Sequence, residues 1–137
     1  MATYKSREAV VPRPRMQLFD RITDFQGLLA AVPEDKRKDI TVEGDTLTAT
    51  YAGFTIGICI AEKIPFEKVV FKDIEAPFHF SVTFSMQEVS GDILSTRLQI
   101  VVDAELNFMM KTLLGGKIQE YLDKAVEGLA TGQIPSL

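Results

Sequence analysis

The sequence predicts an α+β fold, in which a curved antiparallel sheet of about six or seven strands wraps around a long carboxyl-terminal helix. Three observations indicate this architecture. Residues 40–105 alternate apolar and polar side chains with a period of two, which is typical of half-buried strands. The turns between these segments are short, so consecutive strands must be antiparallel neighbours. Residues 106–129 then carry an apolar stripe at helical spacing, and only this helix is long enough to cover the apolar face of the sheet.

The amino-terminal third predicts one strand followed by two short helices. Residues 3–11 alternate as a strand does, and the prolines that follow end this extended run. The first helix is expected over residues 15–22, because proline is tolerated near a first helical turn. The second is expected over residues 25–32, where the next proline stops it. The basic residues 36–38 lie between acidic ones, a pattern that predicts a solvated turn.

The middle of the chain predicts a meander of strands. The segments lie at residues 40–42, 46–52, 55–62, 68–74, 78–87 and 94–105. The sharpest alternation is in 78–87, where Phe80 and Phe84 share one face and His79 lies on the other. The only histidine of the chain is therefore expected on the outer surface.

The carboxyl-terminal stripe changes phase in its middle. Its first apolar residues share one helical face, namely Met109, Met110, Leu113 and Leu114. The stripe resumes one residue late at Ile118, and Gly115 and Gly116 lie at the shift. We expect the helix to kink, bulge or rotate there. One interpretation is that the glycines let the helix bend and open a portal for a ligand. The favoured interpretation is that they only correct the apolar phase or allow close backbone packing. Asn107 is expected to cap the start of the helix and Gly132 to follow its end.

Composition argues against several classes of function. The net charge is -4 and the basic residues are scattered, so nucleic-acid binding is not expected. No apolar run reaches the roughly 18 residues of a membrane span, and the charged start is unlike a secretory signal, so the cytoplasm is the expected location. Cys59 is the only cysteine, and its apolar surroundings predict a small core residue rather than a nucleophile.

Three segments carry a resemblance to a known superfamily. They are the opening strand Tyr4–Val10, the helix from Pro14 to Asp24 with Phe19, and the final Leu106–Leu122. The pattern resembles the helix-grip or START-like superfamily, also called SRPBCC, which includes polyketide cyclases, plant pathogenesis-related proteins and lipid-transfer START domains. It looks most like small bacterial members of unassigned activity. The resemblance covers nearly the whole chain, and residues 1–137 are therefore expected to form a single domain.

The resemblance implies a cavity between sheet and helix that holds a lipid, a polyketide or a similar small apolar molecule. The candidate lining residues are Ile58, Phe71, Phe80, Phe84, Thr96, Leu98, Ile100, Met110, Leu114 and Ile118. Thr96 is the clearest polar residue among them and Tyr51 a second possibility, although either hydroxyl could bond to backbone instead. The alternative is that these side chains simply fill the core. An empty cavity of about 300 Å³ would cost about 7 kcal/mol, so the space must be small, collapsed or occupied.

Catalysis has no recognisable signature in the sequence. Metal-ligand clusters, phosphate-binding loops and nucleophile elbows are missing, so no cofactor or metal is expected. The favoured hypothesis is a non-catalytic carrier or sensor of a small apolar ligand. A cyclase or dehydratase is an alternative, and it would need an inward acid or base such as Tyr51, Glu62 or Asp73. A protein-interaction module with a filled core is the third hypothesis, and the oligomeric state is left open.

Overall fold

The computed structural model describes residues 2–30, 32–51 and 53–131, without the side chains of Lys36 and Tyr51. The elements in chain order are β1 (Ala2–Lys5), β2 (Ala9–Val11), α1 (Arg15–Ile22), α2 (Phe25–Ala30), α3 (Glu34–Arg37), β3 (Ile40–Glu43), β4 (Thr46–Tyr51), β5 (Phe54–Ile64), β6 (Lys68–Glu75), β7 (Phe80–Val89), β8 (Asp92–Ala104) and α4 (Phe108–Ala130). The expected order of strands and helices is therefore present, with one additional short helix.

All strands belong to one antiparallel sheet. Its order is β1-β8-β7-β6-β5-β4-β3, and β2 pairs with β8 beside β1. Register shifts interrupt β5 at Gly57/Ile58 and at Ile60/Glu62. Such bulges bend a strand and increase its twist, and this gives the sheet a concave inner face. The predicted α+β architecture, a curved antiparallel sheet with a long carboxyl-terminal helix, is confirmed.

The first predicted strand is in fact two strands. One residue more lies between Lys5 and Ala9 than between their partners Val101 and Leu98 on β8, so the ladder must break. The buried Ser6 fills the break, because its N–H donates to the carbonyl oxygen of Ile100 and its hydroxyl accepts the Ile100 N–H. The period of two across residues 3–11 does not reveal this extra residue.

The charged run after α2 forms a helix instead of the predicted turn. The guanidinium of Arg37, the last residue of α3, donates to the carbonyl oxygens of Ala30 and Val32, at 2.8 and 2.6 Å. These carbonyls follow α2, where a helix end leaves oxygens without partners. The second helix is described over Phe25–Ala30, the predicted end at residue 32 lies outside it, and α3 follows.

The apolar side chains of the inner face form two clusters. One joins α1 and α2 to the strands, through Leu18, Ile22, Phe25, Val11, Val69, Phe71, Met86 and Leu98. The other joins the second half of α4 to the sheet, through Leu122, Val126, Ala9 and Ile100. The short helices and the long helix thus cover different parts of one concave surface.

The α4 helix is a continuous α-helix of 23 residues that runs through Gly115 and Gly116 without a π-bulge. The helix keeps one face inward and leaves Met109 and Leu113 exposed. Gly115 supports the packing interpretation, because a Cβ added there would lie 2.9 Å from the Tyr4 hydroxyl oxygen. The Asn107 cap is confirmed, since its side chain accepts the N–H of Met110 at 2.8 Å. Gly132 lies outside the described residues.

Candidate ligand-binding cleft

The α4 helix covers only one side of the concave surface. It packs on β1, β2 and β8, at one edge of the sheet. On the outer flank of the helix, Gln119 donates to the Lys5 carbonyl oxygen, and Glu127 forms an ion pair with Arg7. At 100° per residue, Leu114 lies on the opposite flank of the helix. The region between this flank and the inner face of the sheet, where Ile118 and Phe84 pack against one core cluster, is called the cleft below.

Six of the ten predicted lining residues keep part of their surface accessible. Three come from the sheet and three from the helix: Ile58, Phe80, Phe84, Met110, Leu114 and Ile118. The β7–β8 register pairs Phe80 with Ala104 and Phe84 with Ile100, on the inner face. Phe84 and Ile118 pack against the same core cluster, so sheet and helix meet from the two sides as the sequence predicts.

The other four predicted lining residues are buried in the core. These are Phe71, Thr96, Leu98 and Ile100. Thr96 and Leu98 have no exposed surface at all, so they line no space wide enough for a water molecule. The Thr96 hydroxyl donates to the carbonyl oxygen of Arg13 at 2.7 Å, which is the backbone bond that the sequence left as an alternative. The Tyr51 side chain lies outside the described residues.

A series of aromatic contacts links α2 to Phe84 through Phe71. The rings of Phe25 and Phe71 stack at 5.7 Å, and Phe71 meets Phe84 edge-to-face at 5.6 Å. Such pairs add to the free energy gained from burial alone. Phe84 is therefore held by α2 and β6 from behind while part of its surface stays accessible.

Asp73 and His79 form a polar pair where β6 ends and β7 begins. The Asp73 carboxylate accepts Nδ1–H of His79 at 2.9 Å and the backbone N–H of Phe80 at 2.8 Å. Its side chain is only 12% exposed, whereas that of His79 is 79% exposed. His79 is exposed to solvent as predicted, although it lies just before β7, and Asp73, one of the acids that a cyclase would need inward, is largely buried.

The pair shifts the pKa of both partners. Burial would raise the pKa of Asp73, but the hydrogen bonds from the Phe80 N–H and from His79 outweigh it and lower the pKa below its usual value. The hydrogen bond to Asp73 and the negative charges of Asp73 and Glu105 raise the pKa of His79. Glu62, the other carboxylate considered for catalysis, is exposed and pairs with Lys68 at 3.5 Å.

A groove on the outer flank of α4 was not predicted by the sequence. It is open, has a volume of about 680 Å³, and is lined by Arg7, Gly116, Gln119, Glu120, Asp123, Lys124 and Glu127. Six of its seven lining residues have polar or charged ends, although most of the surface that they expose to the groove is apolar. In the part of the chain that the structure describes, no helix has both the length and the apolar character needed to cross a membrane, and no group of three or more His, Cys, Asp or Glu side chains is placed to hold a metal ion.

Comparison with known proteins identifies the family of folds to which this architecture belongs. No protein-family model matches the chain, and no curated protein matches its sequence. A START superfamily protein from Mycobacterium smegmatis is 17% identical and superimposes with a TM-score of 0.64 over 95% of this chain and 97% of that one. The chain has the START-like fold. The resemblance seen in the sequence is confirmed at the level of fold, although identity this low shows nothing about activity.

Two other solved structures share the START-like fold. The protein XoxI from Bacillus cereus is 15% identical, with a TM-score of 0.67 over 96% of this chain and 95% of that one. The Aha1 dimer from Colwellia psychrerythraea is 13% identical, with a TM-score of 0.60 over 96% of this chain and 98% of that one. The match extends over nearly the whole length of each protein, so the sheet and the long helix belong to one shared architecture.

Proposed function

We propose that this protein binds a small apolar molecule in the cleft, such as a lipid or a polyketide, and carries or senses it without chemical change. The observation that supports this most is a set of side chains on the two elements, namely Ile58, Phe80 and Phe84 on the sheet and Met110, Leu114 and Ile118 on the helix, of which Phe84 and Ile118 pack against one core cluster. All six are apolar and half-buried. Each would gain about 25 cal/mol for every Å² of apolar surface that a ligand removes from water. The START-like fold supports the same class of ligand.

The residue types suit an adaptable apolar site. Phenylalanine offers a flat surface, and methionine adjusts easily to irregular shapes. Phe71, Leu98 and Ile100 form the packed floor beneath and give the site its rigidity. We therefore assign ligand contact to the six half-buried residues and core packing to the four buried ones.

The experiment uses two neighbouring leucines of α4. Phenylnaphthylamine, a neutral dye that fluoresces in apolar surroundings, is titrated into the wild type, Leu114→Gln and Leu113→Gln. Leu114 lies on the cleft flank, whereas Leu113 is exposed to solvent. An amide placed against an apolar ligand should weaken dye binding about tenfold in Leu114→Gln, and Leu113→Gln should change it less than about twofold.

Both variants replace a leucine of α4 by glutamine. A general effect of this substitution on the helix is therefore the same in both and cancels when their dye affinities are compared. Thermal unfolding of both confirms that each is folded. Absence of dye binding to the wild type, or equal affinities for all three proteins, would contradict the proposal.

A second candidate function is a protein-interaction module whose partner is a second copy of the chain. It is favoured by the exposed apolar side chains Phe108, Met109 and Leu113 in the first turns of α4. The structural neighbour from Colwellia psychrerythraea is described as a dimer, which supports self-association in this fold. Sedimentation velocity of the wild type and of Phe108→Ser tests this candidate. A dimer that Phe108→Ser dissociates supports it, and a wild-type monomer at high concentration rules it out.

A further inference from the structure

None of the six half-buried side chains that line the cleft can bond to the polar end of a ligand. The six half-buried lining residues are apolar, and Thr96 beneath them already bonds to backbone. In the described part of the chain every buried side-chain nitrogen and oxygen has a hydrogen-bond partner. Binding sites for apolar molecules nonetheless use a few placed polar groups to fix the orientation of the ligand. Such a group must therefore lie at the rim.

The Asp73–His79 pair lies next to the cleft at the end where α4 begins. Residue 80, which follows His79, is the half-buried Phe80 of the cleft, and its ring lies 5.9 Å from that of Phe78. The His79 carbonyl oxygen accepts the N–H of Glu105 at 2.8 Å, in the short connection between β8 and α4. The end of β6, the start of β7 and the connection between β8 and α4 therefore hold the imidazole at the rim of the cleft.

The pair is built so that one ring nitrogen stays available. The Asp73 carboxylate can only accept hydrogen bonds, so Nδ1 of His79 carries the proton in the 2.9 Å contact. The second hydrogen bond, from the Phe80 N–H, anchors the carboxylate to the backbone. Asp73 therefore fixes the imidazole, and Nε2 is the ring atom left to bind a further group.

The charges near His79 select among polar groups. Asp73 balances the charge of a protonated His79, but Glu105 also acts on the ring and leaves an excess of negative charge. A carboxylate ligand would be repelled, whereas a neutral hydroxyl can donate to Nε2 of the neutral ring or accept from the charged one. The local chemistry therefore favours an alcohol over an acid.

We propose that His79, oriented by Asp73, binds the hydroxyl group of an apolar ligand whose hydrocarbon part lies in the cleft. This deepens the proposed function and rests on it. It assigns His79 as a ligand-contacting residue and Asp73 as a positioning residue, and it names the ligand class as an apolar molecule that ends in a neutral hydroxyl.

The experiment measures displacement of phenylnaphthylamine by decane, decanol and decanoate. For the wild type, decanol should bind about fivefold more tightly than decane, which corresponds to one net hydrogen bond, and decanoate should bind no more tightly than decane. His79→Ala should remove the advantage of decanol and leave decane unchanged. The control Gln87→Ala, an exposed polar residue at the other end of β7, should retain it.

Asp73→Asn tests the positioning role by a separate readout. It should reduce the advantage of decanol and also lower the pKa of His79 toward its ordinary value, as measured from the imidazole resonances by NMR. An unchanged His79 pKa in this variant would overturn the role of Asp73.

The outcomes separate the two proposals. If dye and hydrocarbons fail to bind at all, the proposed function is wrong and this inference falls with it. If decane binds but decanol binds no more tightly, or if decanol keeps its advantage in His79→Ala, the cleft stands and the assignment of His79 is overturned. Tightest binding of decanoate would overturn the hydroxyl assignment.

Discussion

The two halves of α4 have similar apolar content but opposite environments. In the second half, Leu122 and Val126 are buried against the sheet. Gln119 bonds to Lys5 at the end of β1, and Glu127 pairs with Arg7 in the loop that follows. In the first half, Phe108 is 86% exposed and Met110 and Leu114 are half-buried. One half of the helix stabilises the fold, and the other presents apolar surface that the fold does not use. Apolar surface left open beside a cleft is what a binding protein requires.

The largest expected difference between the halves is in stability. Leu122→Ala should lower the free energy of unfolding by about 3 kcal/mol, because it removes a buried side chain and leaves a cavity. Leu113→Ala, at a site that is 64% exposed, should change it by less than about 0.5 kcal/mol. Urea denaturation of both variants measures the difference. Similar losses would show that the first half of the helix is packed as tightly as the second.

Substitutions at the two glycines between the halves should change the free energy of unfolding by an intermediate amount. Gly116→Ala should stabilise the protein by roughly 0.5–1 kcal/mol, because alanine favours a helix and a Cβ there meets nothing within 4 Å. Gly115→Ala should destabilise it by about 1 kcal/mol, since the new Cβ would lie 2.9 Å from the Tyr4 hydroxyl oxygen.

Removing the tyrosine hydroxyl checks the cause of that loss. In the double variant Tyr4→Phe/Gly115→Ala the clash is relieved, so it should be more stable than Gly115→Ala alone. Thermal unfolding of the four proteins measures the coupling. Additive effects of the two substitutions would mean that Tyr4 does not set the limit at Gly115.

The smallest expected effect is the pH dependence contributed by Asp73 and His79. The lowered pKa of Asp73 gives stability that is present above its ordinary value of 3.8 and is lost as the pH falls through the folded pKa. The raised pKa of His79 gives stability that is present below its ordinary value of 6.5 and is lost as the pH rises through the folded pKa. The pair should therefore contribute most between these two values.

The melting temperatures of the wild type and His79→Gln, compared at a series of pH values, test this expected pH dependence. The gap between them should be widest between pH 3.8 and 6.5 and should narrow on both sides. A constant gap would mean that the ion pair is not formed in solution.

Local alternation was sufficient to predict the strands and their inner faces. The period of two placed Phe80, Phe84 and Leu98 on one side, and the structure brings that side against Ile118. The same alternation placed His79 outside, and the short-range pattern at Asn107 predicted its cap. These features depend on neighbours along the chain, so one sequence contains the information for them.

Features that depend on a distant partner could not be predicted. The break at Ser6 needs the register with β8, and the burial of Asp73 needs the fold of the turn that ends at His79. The different exposure of Leu113 and Leu114 depends on which flank of α4 meets the sheet edge. Helical periodicity defines an apolar stripe, but it does not say which part of that stripe another element covers.

The most direct test of the cleft is an NMR titration of the protein with decanol, followed through its leucine and isoleucine methyl resonances. We expect the methyl groups of Ile58, Leu114 and Ile118 to shift on binding, while those of Leu113 and of the distant exposed Ile93 stay unchanged. Shifts confined to Leu113, or no shifts in the presence of excess decanol, would contradict the proposal that an apolar ligand binds between the sheet and α4.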